Sequence, residues 1–230
     1  MIPRIIHYCW FGGKEKPNNV MKMINSWKRY CPNYEIKEWN ENNFDININQ
    51  YCREAYDYGQ WAFVSDIARL YALYTDGGIY LDTDVEVVKT LDELLYNDVF
   101  LGFEGTKWIG TNMIGATKEN SFIKEFLDLY KSEKFINNDN TLNTTTNVER
   151  LTDLLKNRYG VLLNGNEQKL NGIHLYTTDY FCPYDYINGK LSLSNNTYSI
   201  HWYSQSWIKR GQIKRKFSQI YHRLFGIKMK

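Results

Sequence analysis

The sequence has few cysteines and lacks any long apolar run. The four cysteines are scattered over 230 residues and form no CxxC pair. A set this small and dispersed argues against a disulfide framework and against a zinc site, so reduced thiols are expected. No window approaches the roughly 20 consecutive apolar residues that cross a bilayer. The apolar stretch near the N-terminus is too short and too interrupted for a signal peptide, and the expected location is therefore the cytoplasm.

Acidic residues are missing from the C-terminal segment. Residues 208–230 carry eight Lys or Arg, whereas residues 1–207 carry 20 basic and 26 acidic side chains. The apolar residues of this segment follow helical spacing with basic residues on the other faces. This pattern is typical of a helix on an anionic membrane surface, here the inner face of the cell membrane. The alternative is a solvated helix that packs on the body or on a second copy. The acidic body argues against a nucleic-acid partner.

Aromatic residues, by contrast, are abundant. They make up 16% of the chain, with 19 Tyr and 7 Trp. Flat faces with a polar tip suit sugar rings and nucleobases, but a Tyr-rich core accounts for many of them equally well. The remaining composition, with 43% hydrophobic and 23% charged residues, is ordinary for a soluble globular protein. The length suits one domain with a sizeable core.

Predicted strands and helices alternate along the chain. Strands are predicted over residues 4–10, 34–39, 79–81, 85–88, 99–104, 173–178 and 197–203. Helices are predicted over residues 18–29, 51–58, 61–75, 121–130 and 148–158. The alternation predicts an α/β fold in which helices flank a mainly parallel sheet. The helix over 61–75 is apolar nearly all round, which is typical of a buried helix.

Two aspartates follow the short strand over 79–81. Asp82 and Asp84 are two residues apart, so in an extended chain they face the same side, at the carboxyl end of a strand where open α/β sheets bind ligands. Their carboxylates repel each other unless a cation lies between them. Mg²⁺ or Mn²⁺ accepts carboxylates together with substrate phosphates and neutralises a departing diphosphate. Taken alone, however, the tripeptide is a weak signal.

Two charged residues interrupt the apolar helix that precedes this strand. Asp66 and Arg69 are three residues apart and share a helix face. Charged groups on a buried helix need partners. Either they pair with each other, or both face a polar ligand held against the sheet.

Several segments together resemble the glycosyltransferases with a DXD sugar-binding region. These enzymes are of the capsular-polysaccharide and initiating-mannosyltransferase type, known as glycosyltransferase family 32, and are distant relatives of the large clostridial glucosylating toxins. The resemblance covers residues 2–207 in the family's order. It is carried by IPRIIHYCWFGG, SWKRYCPNYEIKEWN, FVSDIARLYALYTDGGIYLDTDVEV, LGFE, TNMIGA, YFCPYDY and IHWYSQSW.

The resemblance implies a fold and an activity. It implies a single Rossmann-like domain of GT-A type over residues 1–207, followed by the basic amphipathic tail over residues 208–230. It also implies metal-dependent transfer of a hexose, with retention, from a nucleotide-sugar, with a UDP-sugar favoured. The expected acceptor is a glycan such as a lipid-linked oligosaccharide in bacterial capsule or exopolysaccharide biosynthesis. The expected mechanism is front-face attack with the leaving phosphate as proton acceptor, and no residue is assigned as nucleophile or base.

Residue roles follow from the same resemblance. Trp10 is expected to stack on the nucleobase, Asp66 and Arg69 to contact the ribose and the donor sugar or phosphates, and Asn112 to line the donor-sugar pocket. Ser204 lies in the C-terminal segment that closes over the diphosphate.

The metal site and the catalytic residues are also implied. Asp84 is expected to bind Mn²⁺ or Mg²⁺ directly, while Asp82 holds the ribose or a metal-bound water. His201 is expected to complete the metal shell, although it reads equally well as a structural strand histidine. Trp207 is grouped with Asp82 and Asp84 as catalytic. His7 is expected to be structural.

Two other functions fit parts of the sequence. LDTDVEV also resembles the first motif of haloacid-dehalogenase-type phosphohydrolases, in which Asp82 would be the nucleophile and Asp84 an acid/base. Such a fold needs a downstream acidic motif, and none follows residue 84. The second alternative is a metal-dependent carbohydrate-binding module without catalytic activity, which the aromatic content permits.

Overall fold

Seven strands form the central sheet of the computed structural model, which describes residues 1–204. Its strands are β1 (Ile5–Cys9), β2 (Glu35–Trp39), β3 (Gly78–Leu81), β5 (Val99–Glu104), β6 (Trp108–Ala116), β7 (Gln168–Leu170) and β8 (Ile173–Tyr176). They are ordered β2-β1-β3-β6-β5-β8-β7. The predicted catalytic residue Trp207 and the predicted basic tail over 208–230 lie outside the described residues, so both stay predictions.

Helices and two small antiparallel sheets complete the described part of the chain. The helices are α1 (Asn18–Tyr30), α2 (Gln50–Asp57), α3 (Trp61–Asp76), α4 (Ser121–Asp128), α5 (Asn147–Tyr159) and α6 (Thr178–Phe181), with a 3₁₀ turn at Asp92–Tyr96. The small sheets pair β4 (Val85–Val87) with β11 (Ser199–His201), and β9 (Tyr184–Asp185) with β10 (Lys190–Leu191). Among residues 1–204, none of the helices combines the length and the apolar character that crossing a bilayer requires.

The central sheet is mixed but mainly parallel. β1 runs parallel to β2 and β3, and β5 runs parallel to β8. β6 is antiparallel to both β3 and β5, and β7 is antiparallel to β8. Five of the seven strands therefore point in one direction, which confirms the predicted α/β class and the mainly parallel sheet.

β6 is the longest of the strands that the sequence did not predict, the others being the short β7, β9 and β10. Its segment interrupts an apolar pattern with Thr111, Asn112 and two glycines. Gly115 is required there because a Cβ at this position would lie 1.9 Å from the Phe100 ring of β5. This tight packing requires glycine where a strand usually carries β-branched or aromatic residues, so the segment lacks the usual sequence signal of a strand.

Both faces of the sheet are covered by apolar layers. One core cluster packs residues of α2, α3, α4 and α5 against the sheet, and the other packs α1, α6 and β4 against the opposite face. α3 is buried along most of its length, as its composition predicts. All four cysteines are free and buried in these layers.

A pair of glycines joins α3 to β3. Gly77 and Gly78 have φ of 67° and 111°, values that favour glycine, and a Cβ on Gly78 would lie 2.7 Å from the carbonyl oxygen of Ile5. The close approach lets β3 leave the helix and pair at once with β1. The carboxyl ends of β1 and β3 then meet at one edge, where Trp10 and Asp82 follow.

His7, in the centre of β1, is structural as predicted. The side chain is fully buried. The Trp39 indole N–H donates to Nδ1 at 3.0 Å, which leaves the Nε2–H to donate to the Gly77 carbonyl oxygen at 2.7 Å. This arrangement requires the neutral imidazole, and burial accordingly lowers the pKa of His7.

The contribution of His7 to stability should therefore fall in mild acid. Because the pKa of His7 is lower in the folded than in the unfolded chain, neutral His7 stabilises fully above about pH 6.5, and this contribution is lost as the pH falls. We compare the urea midpoints of the wild type and His7→Asn at about pH 7.5 and about pH 5.5, so that the contributions of other titrating groups cancel. His7→Asn should be less stable than the wild type at the higher pH, and this difference should shrink on acidification. Equal pH dependence of the two proteins would contradict the assignment.

Candidate active site

The carboxyl end of β3 brings two aspartates and a histidine together. Asp82 follows β3 directly, Asp84 precedes β4, and His201 ends β11, which pairs with β4. The ligand atoms of these three side chains all lie within 4.8 Å of one another. The backbone N–H of Val85 donates to the Asp82 carbonyl oxygen at 3.0 Å and closes the turn between the aspartates. The sequence spacing of Asp82 and Asp84 predicted their convergence, but only the pairing of β11 with β4 explains why His201 lies beside them.

Asp84 is held by the C-terminal segment. His201 Nε2 lies 3.3 Å from Asp84 Oδ1, and the backbone N–H of Ser204 donates to Oδ2 at 2.7 Å. The backbone N–H of Trp202 donates to the Asp84 carbonyl oxygen at 3.0 Å. Burial opposes ionisation of Asp84, but the neighbouring His201 and the Ser204 hydrogen bonds hold the pKa of this carboxyl well below its usual range. Asp84 is therefore a carboxylate at neutral pH.

The backbone is strained where this segment turns back to Asp84. Tyr203 has a φ of 49°, a left-handed conformation that costs a non-glycine residue on the order of 1 kcal/mol. The next residue, Ser204, is the one whose N–H reaches Asp84. Strain of this kind persists where the surroundings over-determine it, which is common at functional sites.

The three side chains form a donor set that suits a divalent cation. Two carboxylates and an imidazole are all ligands that Mn²⁺ or Mg²⁺ accepts. Burial alone would lower the pKa of His201, but the adjacent Asp84 raises it well above its usual range. A positive charge is thus favoured between these carboxylates. Within the described residues the buried Nδ1 of His201 has no hydrogen-bond partner, so the ring is not committed to a structural hydrogen bond on that side. Asp82, Asp84 and His201 therefore fit a divalent cation.

Arg69 of α3 connects Asp66 to Asp82. Its Nη2 lies 2.8 Å from Asp66 Oδ1, and its Nη1 lies 3.3 Å from Asp82 Oδ1. Nη1 also donates to the Thr111 carbonyl oxygen of β6 at 2.9 Å. The pairing of Asp66 with Arg69 is confirmed, and the same guanidinium also faces the edge at which ligands are expected. Tyr80 supports this contact, since its hydroxyl donates to Asp82 Oδ1 at 2.9 Å.

Asp66 is the most deeply buried carboxylate of the edge. Burial raises the pKa of this carboxyl to about 7, an effect that the ion pair with Arg69 offsets only in part. The Asp66 carboxyl is thus poised between its two forms near neutral pH. Arg69 itself is only 5% exposed, so its charge is directed at these aspartates and not at solvent.

Trp10 and Asn112 lie on opposite sides of the aspartates. Trp10 follows β1, and its indole N–H donates to the Lys14 carbonyl oxygen at 2.5 Å. Asn112 belongs to β6, and its backbone carbonyl oxygen accepts a hydrogen bond from the backbone N–H of Asp82 at 2.9 Å. The side chain of Asn112 is buried, and its Nδ2 has no hydrogen-bond partner among residues 1–204. An unpaired buried donor beside a cluster of carboxylates is a feature that a ligand would satisfy.

Glu104 is a further acidic residue at this edge that the sequence reasoning missed. It ends β5, and burial raises its pKa. Nearby His201 partly offsets this rise, whereas the negative charges of Asp82 and Asp84 add to it. The signal was present in the sequence. Like Asp82, Glu104 is an acidic residue at the carboxyl end of a predicted buried strand.

The structure thus gathers most of the predicted residues at one edge of the sheet. It brings together Asp66, Arg69, Asp82, Asp84, Asn112, His201 and Ser204, with Trp10 at the neighbouring strand end. The roles assigned to them from the resemblance stay predictions.

Comparison with known proteins points to one class of enzyme. Residues 17–101 match the family described as a glycosyltransferase sugar-binding region containing a DXD motif. The chain is 28% identical over 134 residues to inositol phosphoceramide mannosyltransferase 3 of Schizosaccharomyces pombe, which covers 53% of this chain and 35% of that protein. It is 27% identical over 201 residues to an uncharacterized glycosyltransferase of Acanthamoeba polyphaga mimivirus, covering 80% and 78% of the two chains. The chain thus spans only about a third of the length of the yeast enzyme.

Solved structures share the fold. GlyE of Streptococcus pneumoniae, a glycosyltransferase, superposes with a TM-score of 0.52 at 15% identity over 94% of this chain and 61% of its own. A glycosyltransferase involved in glycosylation of the major capsid of PBCV-1 gives 0.50 at 11% identity, over 95% and 100% of the two chains. These matches agree with the resemblance found in the sequence, and we set aside the phosphohydrolase and the non-catalytic module.

Removing the charge of Arg69 should destabilise the fold. Arg69→Met keeps the stem but leaves Asp66 buried without its partner, for which we expect a loss of about 3–5 kcal/mol in the free energy of unfolding. The double variant Asp66→Leu/Arg69→Met should recover part of this loss, because neither charge remains buried. Arg53→Met serves as the matched control. Its exposed ion pair with Asp57, on α2, should contribute less than about 1 kcal/mol. Urea unfolding measures all three, and an equal loss in Arg53→Met and Arg69→Met would contradict the prediction.

Proposed function

We propose that this chain, which belongs to the glycosyltransferases with a DXD sugar-binding region, transfers a hexose from a nucleotide-sugar to a glycan acceptor with the help of Mn²⁺ or Mg²⁺. The family and the enzyme class predicted from the sequence are confirmed by the match over residues 17–101 and by the relatives named above. The observation that carries the proposal is the convergence of Asp82, Asp84 and His201 within 4.8 Å at the carboxyl edge of the sheet.

The proposed donor lies across the carboxyl ends of β1 and β3. Trp10 stacks on the nucleobase, and Asp66 accepts a hydrogen bond from the ribose. Asp84 and His201 would hold the cation, which would supply Lewis-acid stabilisation of the departing diphosphate. Asp82, fixed by Arg69 and Tyr80, completes the set or holds a coordinated water.

We propose for Arg69 a role different from the one that the resemblance implies. Nε donates to the Ser65 carbonyl oxygen at 3.3 Å, and both terminal nitrogens already contact Asp66, Asp82 and Thr111. A guanidinium with these partners is better suited to positioning the two carboxylates than to binding phosphate directly. We therefore propose that Arg69 acts through Asp66 and Asp82.

The proposed transfer retains the anomeric configuration. The acceptor hydroxyl forms its bond to the anomeric carbon on the face from which the diphosphate departs, and the leaving phosphate oxygen takes the hydroxyl proton. This scheme needs no side chain as covalent nucleophile or as general base. A UDP-sugar is the favoured donor on the family tendency.

The proposed acceptor is carried on a lipid. One relative carries the name inositol phosphoceramide mannosyltransferase, which refers to a lipid. The basic residues of 208–230 suit a protein that works at an anionic membrane surface, where each adds about 1 kcal/mol of attraction. Capsule or exopolysaccharide biosynthesis at the inner face of the cell membrane is the process that we propose.

Removal of one metal ligand tests the central proposal. Asp84→Asn keeps the shape of the side chain but removes the charge that holds the cation and His201. We expect Mn²⁺-dependent binding of UDP, measured by isothermal titration, to weaken on the order of 100-fold or more, with the fold intact by circular dichroism. Hydrolysis of UDP-glucose, UDP-galactose and GDP-mannose should be screened in parallel.

Asp57→Asn provides the control for this variant. Asp57 lies on the surface in an exposed ion pair, away from the β3 edge. Its substitution should therefore change neither UDP binding nor hydrolysis of the nucleotide-sugars. Full UDP binding and full hydrolysis by Asp84→Asn would remove the central claim.

A truncation tests the proposed membrane contact. Deletion of residues 212–230 should reduce sedimentation with liposomes that contain phosphatidylserine and should leave hydrolysis of the nucleotide-sugar unchanged. Replacement of Lys214, Arg215 and Lys216 by Gln separates charge from length and should give most of the same loss. Unchanged sedimentation of both variants would favour packing of the segment on the body or on a second copy.

A further inference from the structure

An exposed tryptophan lies opposite Glu104 at the same edge of the sheet. Glu104 ends β5 and Trp108 begins β6, and the two are directly paired in the antiparallel register. Directly paired residues project from the same face of a sheet. Trp108 is 47% exposed, although the rest of β6 is buried. A large aromatic ring is thus left open to solvent beside a carboxylate at the edge where the donor is proposed to bind.

The absence of a side chain at Gly110 brings Glu104 close to Asn112. A Cβ on Gly110 would lie 2.5 Å from Asn112 Oδ1 and 3.6 Å from Glu104 Oε2. The amide and the carboxylate therefore share the space above Gly110. Within residues 1–204 the buried Nδ2 of Asn112 has no hydrogen-bond partner. A donor and an acceptor side by side, one of them unsatisfied, next to an open aromatic face, match the chemistry of a pyranose ring with its hydroxyls.

The strand order gives these groups their place relative to the donor. From β1 through β3 and β6 to β5, the edge presents Trp10, Asp82, Asn112 and Glu104 in turn. Adjacent strands are about 4.8 Å apart, so β5 lies about 10 Å from β3. In the proposed donor, the base, the diphosphate and the sugar follow one another along the edge in this direction, from β1 towards β5. The group that attacks the anomeric carbon must lie beyond the diphosphate, on the side of β6 and β5.

We propose that Glu104 and Trp108 form the acceptor-sugar subsite, an inference that rests on the proposed function. Trp108 stacks on the less polar face of the acceptor ring, and Glu104 accepts hydrogen bonds from its hydroxyls, while Asn112 donates to the sugar on the donor side. In the transfer, the acceptor oxygen bonds to the anomeric carbon, the bond from that carbon to the phosphate oxygen breaks, and the proton goes to the leaving phosphate. Glu104 orients the hydroxyl and takes no proton.

The charge of this edge also selects the acceptor class. Glu104 brings a carboxylate to the space above Gly110, where a Cβ on that glycine would lie 3.6 Å from Glu104 Oε2. A second carboxylate on the ligand would meet like charges there. The subsite therefore takes a neutral hexose or N-acetylhexosamine and disfavours a uronic or sialic acid.

Saturation-transfer NMR tests the subsite without knowledge of the natural acceptor. The probes are methyl glycosides of glucose, galactose, mannose, N-acetylglucosamine and glucuronic acid, each with the full chain, UDP and Mn²⁺. We expect at least one neutral glycoside to bind and the glucuronide to bind more weakly. Trp108→Ala should weaken the neutral glycoside by about three- to tenfold, Trp108→Phe by less, and Glu104→Gln should reduce the preference over the glucuronide.

Tyr96→Ala is the matched control, because Tyr96 is 78% exposed and precedes β5 at its opposite end. It should leave glycoside binding unchanged. Isothermal titration of UDP with Mn²⁺ separates the two proposals. Loss of glycoside binding in Trp108→Ala with UDP affinity retained supports the acceptor subsite. Failure of every neutral glycoside to bind, or equal binding to wild type and Trp108→Ala, overturns it. If the protein binds glycosides through Trp108 but does not bind UDP, the proposed transferase function is contradicted and only a sugar-binding site remains.

Discussion

The buried guanidinium of Arg69 is the interaction on which the edge depends. It reaches from α3 to Asp66 on its own helix, to Asp82 after β3 and to the Thr111 carbonyl of β6. Burying such a group costs several kcal/mol unless its donors are satisfied, and here each nitrogen has a partner. The consequence is that Asp82 is already oriented before any ligand arrives, as pre-organised sites require.

A second positive group completes the electrostatics. The carboxylates of Asp66, Asp82 and Asp84 converge with two basic side chains, Arg69 and His201, between them. Arg69 is a fixed counter-charge because a guanidinium does not lose its proton. His201 is an exchangeable one, since its imidazole can be either a cation beside Asp84 or a neutral ligand for a metal. Arg69 thus fixes the positions of the carboxylates, whereas His201 can give up its proton when a cation binds.

Local patterns predicted much of this arrangement, and long-range pairing accounts for the rest. The apolar helix, the double glycine after it and the short strand ending in Asp82 all follow from residues close together in the chain, and they appear in the structure as α3, Gly77–Gly78 and β3. β6 escaped prediction because its glycines and polar residues are there for contacts with β5 and the ligand edge. The strained turn at Tyr203 and the Ser204 bond to Asp84 join residues 120 positions apart, which no local pattern encodes.

The antiparallel β6 also divides the edge into two halves. The groups proposed for the nucleotide and the cation follow β1 and β3 or belong to α3 and β11. Those proposed for the acceptor, Glu104 and Trp108, flank residues 105–107 at the tip of the β5–β6 hairpin. The exposed tip of this hairpin tolerates changes of sequence and length far better than a buried helix does. Recognition of the acceptor can therefore diverge in evolution, or be re-engineered, by exchanging the tip of one hairpin while the donor half is inherited unchanged.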